Sequence, residues 1–316
     1  MSAKSPSARL SPWIVLAMVG MVAIPAGIAL HTVRVAGVLE ISSTNPTPHG
    51  YTWSLLLFVV PIAAIAGWLL PSEGIEVPRR AFWRTIGILT PLGCALDFFF
   101  AHRFFVYPNV GATLGIGAPA LGGSVPMEEY IFYFTGFLAV LLLYLWLGEY
   151  WLAAYSVAED ARSEQRVERL LGFHPASAVV GAALIVLAIA YKKLLSGEPD
   201  GFPGYLTFLI AGALVPSAML FPVARRSINW RALSGTMLLV VLISLIWEAT
   251  LAVPYGWWGF QPRAMVGVFV RAWSGLPIEE VLLWIAVTWA TVIVYEVMKV
   301  WVRRGGGVGV AVNPGL

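Results

Sequence analysis

Long apolar runs, broken by short polar and basic segments, set the pattern of this chain. A bilayer core needs about 20 predominantly apolar residues per helix. Eight stretches qualify, at 12–30, 52–70, 83–104, 126–147, 175–191, 203–223, 232–253 and 277–301. The first follows Lys4 and Arg9 as a secretory signal would, but its apolar run is too long for a signal core and no small-x-small site follows it. It is read as a true span. The pattern predicts an all-α polytopic membrane protein of about eight transmembrane helices.

Composition narrows the class further. The 316 residues are 59% hydrophobic and 12% charged, roughly half the charge of a soluble chain, and the mean hydropathy is +0.80. So little charge cannot cover a water-facing surface, which excludes a soluble enzyme, a disordered chain and a nucleic-acid binder. Cys94 is the single cysteine, so no disulfide framework can form within one chain. Of the 20 Lys and Arg residues, 14 fall in the N-tail, 79–84, 162–169, 225–231 and the C-terminal end. The other six are Arg34, Arg103, Lys192, Lys193, Arg263 and Arg271. That asymmetry predicts that both termini are cytoplasmic, the membrane being expected to be the plasma membrane, and the net charge of +3 reflects these basic loops rather than a polyanionic partner. Residues 148–174, rich in mixed charge, read as a cytoplasmic connector, and the glycine-rich 305–316 as a flexible tail.

Sliding the chain along itself by 151 positions exposes an internal duplication. Pro71 then meets Pro222, Arg80 meets Arg231, Asp97 meets Glu248, Pro126 meets Pro277, and Glu128-Glu129 meets Glu279-Glu280. In both halves an acid is followed 31 residues later by an acid pair. Residues 1–147 and 175–304 are therefore expected to be two parallel four-helix repeats, alike in orientation rather than inverted.

The six duplicated acids are the ones that fall inside spans; the other eleven of 17 lie in loops, tails or span ends. A charge at the bilayer centre costs at least about 2.5–3.5 kcal/mol, so Asp97, Glu128, Glu129, Glu248, Glu279 and Glu280 are candidate functional residues by default. Their positions in the spans predict that all six gather near the non-cytoplasmic interface. Pro-x-Glu-Glu is also ordinary helix-start chemistry, where the helix dipole favours a carboxylate. What sets it apart here is the repetition, each copy matched to a buried acid. Neighbours on a helix point about 100° apart, so one glutamate of each pair can face the bundle interior, though the sequence does not say which.

At these residues the chain resembles the integral-membrane lycopene cyclases of the heterodimeric or fused type. The resemblance rests on Trp247-Glu248, Tyr255 through Pro262 and Pro277-Ile278-Glu279-Glu280, and in the other half on Asp97, Tyr107-Pro108, Gly117 and Pro126 through Phe132. It covers roughly 83–140 and 234–290. The first half carries Phe105-Val106-Tyr107-Pro108 where the family pattern has Gly-x-Trp.

The resemblance implies ring closure at the end of a linear carotenoid, lycopene to β-carotene in the first instance. It also implies a lipophilic polyene substrate within the bilayer, no cofactor, and other carotenoid-pathway membrane enzymes as partners. Such a reaction protonates a terminal alkene, closes a C–C bond on the resulting cation and loses a neighbouring proton, with no redox change. An alkene is a very weak base, so the donor must be an acid held protonated, which apolar surroundings and a second carboxylate both favour. The two glutamate pairs are the expected acid–base groups, with Asp97 and Glu248 positioning or tuning them, and Glu279→Gln is expected to reduce cyclisation by orders of magnitude. Tyr107, Trp257 and Trp258 are candidate substrate-binding residues that could stabilise the cation through their ring faces, or members of an interfacial aromatic belt.

Other motifs carry less. Gly115 through Ala120 fits G-x-G-x-x-A but follows a span instead of a strand, which argues against a dinucleotide site. His31, His49, His102 and His174 lack metal-ligand spacing. His102 and Arg103 read as interfacial residues, with proton supply as the alternative. Alternative functions are cyclisation of a longer C50 carotenoid or a meroterpenoid, or proton-coupled transport.

Overall fold

The computed structural model describes residues 47–71, 77–152 and 175–307, together with Ala23. The expected span at 12–30, most of the 148–174 connector and the end of the tail lie outside the described residues. Within them, seven helices are long and apolar enough to cross a bilayer. They are α1 (Gly50–Leu69), α2 (Arg79–Phe104), α3 (Met127–Trp151), α4 (Pro175–Leu194), α5 (Gly204–Ala224), α6 (Trp230–Ala252) and α7 (Ile278–Arg303). The chain is an all-α polytopic membrane protein.

Proline starts much of this architecture. Pro78, Pro126 and Pro203 stand at the N-caps of α2, α3 and α5, and Pro277 immediately precedes α7. A proline there gives up an N–H that no helical carbonyl would have accepted. Pro61, Pro91 and Pro222 lie inside helices, which packed neighbours make tolerable in a membrane bundle. Asn229 caps α6, its side chain accepting the Ala232 N–H at 3.1 Å.

The centre of the bundle is α3 against α7. Helix α3 packs on α1, α2, α6 and α7, and α7 on α2, α3, α5 and α6, while α4 touches the rest mainly through α5. Helix α3 ends in a π-helical turn at Leu147–Trp151, and α6 ends in another at Glu248–Ala252. Such wide turns recur at functional positions because they swing one side chain out of the helical register.

The connections at the acid-bearing end of the bundle contain short antiparallel ribbons that the hydropathy pattern does not announce. Strands β1 (Phe105–Val106), β2 (Gly117–Ala120) and β3 (Gly123–Pro126) lie between α2 and α3. Strands β4 (Gly259–Phe260), β5 (Phe269–Val270) and β6 (Leu276–Pro277) lie between α6 and α7. β2 pairs with β3 and β5 with β6 inside each connection, and β1 pairs with β4 across the two, Phe105 opposite Phe260. Gly122, with φ 96°, supplies the left-handed turn of the β2–β3 hairpin. The Gly115–Ala120 motif is thus a turn leading into a hairpin strand.

The opposite end of the bundle holds a polar knot. The Tyr144 hydroxyl donates to Glu296 Oε1 and accepts the Asn229 N–H, both at 3.0 Å, and Lys299 Nζ lies 2.9 Å from Glu296. The sequence pattern leaves Glu296 among the loop and span-end acids, but it is 1% exposed and ties α3, α6 and α7 together. Tyr144→Phe removes both bonds and is expected to destabilise the bundle by about 1–3 kcal/mol, read as a lower thermal unfolding midpoint in detergent.

Candidate active site

All six duplicated acids are at most 8% exposed, and all lie at one end of the bundle. Asp97 is near the C-terminal end of α2, Glu248 opens the π-helical turn of α6, and the two glutamate pairs occupy the first turns of α3 and α7.

Within each pair the two glutamates part company. Glu128 and Glu279 turn toward the connections. Glu128 accepts the Leu114 N–H at 2.8 Å and the Thr52 hydroxyl, and Glu279 accepts the Val266 N–H. The first residues of the two helices are fixed in matching fashion, the Met127 N–H on Ile116 O and the Ile278 N–H on Val268 O, both at 2.9 Å. Glu129 and Glu280 face inward.

Together with Glu248 these two line one cavity of about 30 Å³, walled by rings that include Tyr107, Phe132, Tyr133 and Trp258. The volume is enough for one or two waters. The Tyr51 hydroxyl donates to Glu129 at 2.9 Å. Tyr205 lines the same cavity, so Glu248 and Glu280 share one wall-bounded space with it. One oxygen of Glu248 and one of Glu280 are buried without a hydrogen-bond partner among the described residues.

The two single acids are held by aromatic donors in the same register. Tyr133 donates to Asp97 at 3.3 Å and the Trp284 indole N–H to Glu248 at 2.7 Å, each donor 36 residues beyond its acid. Asp97 does not line the cavity; it stands behind Tyr133, which does.

Of the three candidate aromatics, Tyr107 and Trp258 line the cavity and Trp257 does not. Trp257 stacks on Tyr51 with ring centroids 6.0 Å apart and donates its indole N–H to Thr47 at 3.0 Å, which makes it a support of the Glu129 side. Sequence reasoning missed Tyr51, Phe132, Tyr133 and Tyr205. Tyr133 had a usable signal, since it falls opposite Trp284 in the 151-residue register.

Phe132 also borders a second hollow, an apolar groove of about 80 Å³ between α1, α3 and α6 that runs away from the acids along the membrane span. Leu55, Phe58, Gly136, Val140 and Trp247 line it. Carboxyl side chains therefore sit at the head of an oily slot, with the Phe132 ring between them and it.

The connection that carries Glu279's partner is clamped from behind. Lys192, fully buried on α4, donates to Pro262 O at 3.1 Å and Met265 O at 2.6 Å. Lys192→Met is expected to leave the helices assembled but to make the 262–266 segment several-fold more sensitive to limited proteolysis, mapped by mass spectrometry of the fragments.

Among the described residues, no three His, Cys, Asp or Glu side chains are grouped as a metal site. In comparison with known proteins, no family model matches this chain, and no curated protein or solved structure does so.

Proposed function

We propose that this protein closes rings at the ends of isoprenoid polyenes, lycopene to β-carotene being the leading case. The observation that carries the reading is the joint placement of Glu129, Glu248 and Glu280 around one aromatic-walled cavity at the head of an apolar groove. The polyene lies in the groove with its end at Phe132, and rotation of that ring merges groove and cavity. A protonated carboxyl group, Glu280 with Glu248 as its neighbour in the cavity, gives its proton to the terminal alkene. The next double bond attacks the tertiary cation, and an ionised neighbour, Glu129, takes the proton that the new ring sheds. Phe132, Tyr133 and Trp258 present π-faces and edges around the transient positive charge, an interaction worth about 2 kcal/mol or more where water is excluded. Each proton given is matched by one taken back, so no electrons change hands.

In this reading the chain is a duplicated pair of like-oriented halves. The basic residues at the starts of α2 and α6 and the end of α7 lie opposite the acids and face the cytoplasm, which puts the acid cavity toward the other side of the plasma membrane. Expression in a host that accumulates lycopene tests the function. Yellow cyclic products, identified by chromatography and mass, are expected. Unchanged lycopene together with proton-driven solute uptake in vesicles would replace the cyclase by a transporter.

A further inference from the structure

A third hollow, of about 470 Å³, opens among the connections on the far side of the acids from the groove. Its lining is partly polar, with His102, Thr113, Ser124 and Gln261 among the wall residues, and it is large enough to hold many waters. Two residues, Phe105 and Tyr107, line both this loop cavity and the acid cavity. Phe105 offers only a ring. Tyr107 offers a buried hydroxyl that has no hydrogen-bond partner among the described residues, and it lies within electrostatic reach of Glu129.

We propose that the loop cavity is an aqueous proton inlet to the acid cluster and that Tyr107 relays protons between its water and Glu129. The inference rests on the cyclase reading. Ring closure breaks a carboxyl O–H bond to form a C–H bond on the substrate, then breaks another substrate C–H bond to protonate a carboxylate. The books balance, but when donor and acceptor are different carboxylates the enzyme is left with its proton on the wrong group. Glu129 must lose a proton and the Glu248–Glu280 pair must regain one before the next turnover. The groove side is apolar and cannot conduct a proton, whereas the loop side is a partly polar hollow separated from the acid cavity by Phe105 and Tyr107. Burial first, and then the nearby Glu129 and Asp97 charges, push the Tyr107 hydroxyl well above the usual phenol range, so it stays protonated. A neutral hydroxyl can accept a proton on its oxygen while handing on its own, and that is what a relay requires.

The test uses a removable plug. Ser124 is exposed in the wall of the loop cavity and takes no part in binding the acids. A Ser124→Cys, Cys94→Ala protein is assayed with lycopene in D2O, before and after reaction with a bulky methanethiosulfonate and again after the adduct is removed with thiol. Unmodified protein is expected to place solvent deuterium on each ring it closes. The adduct is expected to lower the deuterium content or the turnover rate several-fold, and removal of the adduct to restore both. Tyr107→Phe is expected to resemble the adduct without being reversible. Deuterium content and rate that ignore both the adduct and Tyr107→Phe would overturn the inlet while leaving the cyclase standing. A protein that forms no cyclic product in any state would instead overturn the cyclase reading on which the inlet depends.

Discussion

Glu280→Gln is expected to cut ring closure by about 10²–10⁴-fold, the usual worth of a positioned acid or base, with the protein still present in the membrane at its normal level. Glutamine keeps the size of the side chain and its place in the cavity wall, but it has no acidic proton to give. It also leaves Glu248 as the one carboxyl group of the second half that lines the cavity. Glu279→Gln, expected from the sequence to reduce cyclisation by orders of magnitude, is now expected to be the milder change. Its carboxylate accepts the Val266 N–H, a role an amide oxygen also fills. The measurement is cyclic product per unit of membrane protein for the two variants side by side. Near-normal product from Glu280→Gln, or a deeper loss from Glu279→Gln, would show that the inward glutamate is not the acid.

Filling the groove is expected to be nearly as damaging while leaving every acid in place. A Cβ built on Gly136 meets nothing within 4 Å, so Gly136→Ala should fold normally and gain up to about 1 kcal/mol of helix propensity. Gly136→Phe places a ring in the slot itself. Displacing part of a polyene from an apolar wall costs about 0.8 kcal/mol per methylene-sized group, so losing even two such contacts lowers binding by about tenfold. The expected result is a loss of at least tenfold in cyclic product for the phenylalanine variant, with near-normal product for alanine and equal amounts of protein in both. Full activity with a blocked groove would mean that the substrate reaches the acids by another route.

The helices were legible because hydropathy acts over many residues. All seven described spans fall where the apolar runs put them, with ends displaced by a few residues. The first turn of α2, for example, takes in Arg79 and Arg80 at the membrane edge, where a window seeking apolar residues stops short. The ribbons were not legible. Strands of two to four residues are too short to show an alternating pattern, and β1 with β4 is a pairing between segments far apart in sequence.

The acids themselves could be picked out, since buried charge in an apolar span is conspicuous, but their orientation could not. Glu128 and Glu129 differ by one step on a helix, and only the placement of α1, which brings Tyr51 and Thr52 against α3, separates the inward member from the outward one. Tyr51 and Tyr205 escaped notice because the 151-residue register sets Phe202 opposite the first and Ser54 opposite the second, so neither repeats. Glu296 escaped because it sits near the cytoplasmic-reading end of its span, where an acid ordinarily meets water.

The pairing of β1 with β4 and the mixed ownership of the cavity have a joint consequence for how such a centre can arise. One carboxylate comes from the first half and two from the second, so neither half possesses a working constellation on its own. Backbone bonding between the connections registers the halves without relying on particular side chains. On the proposed duplication, each copy is free to differ in its rings and polar groups, as Tyr133 differs from Trp284, while the seam still assembles the composite centre.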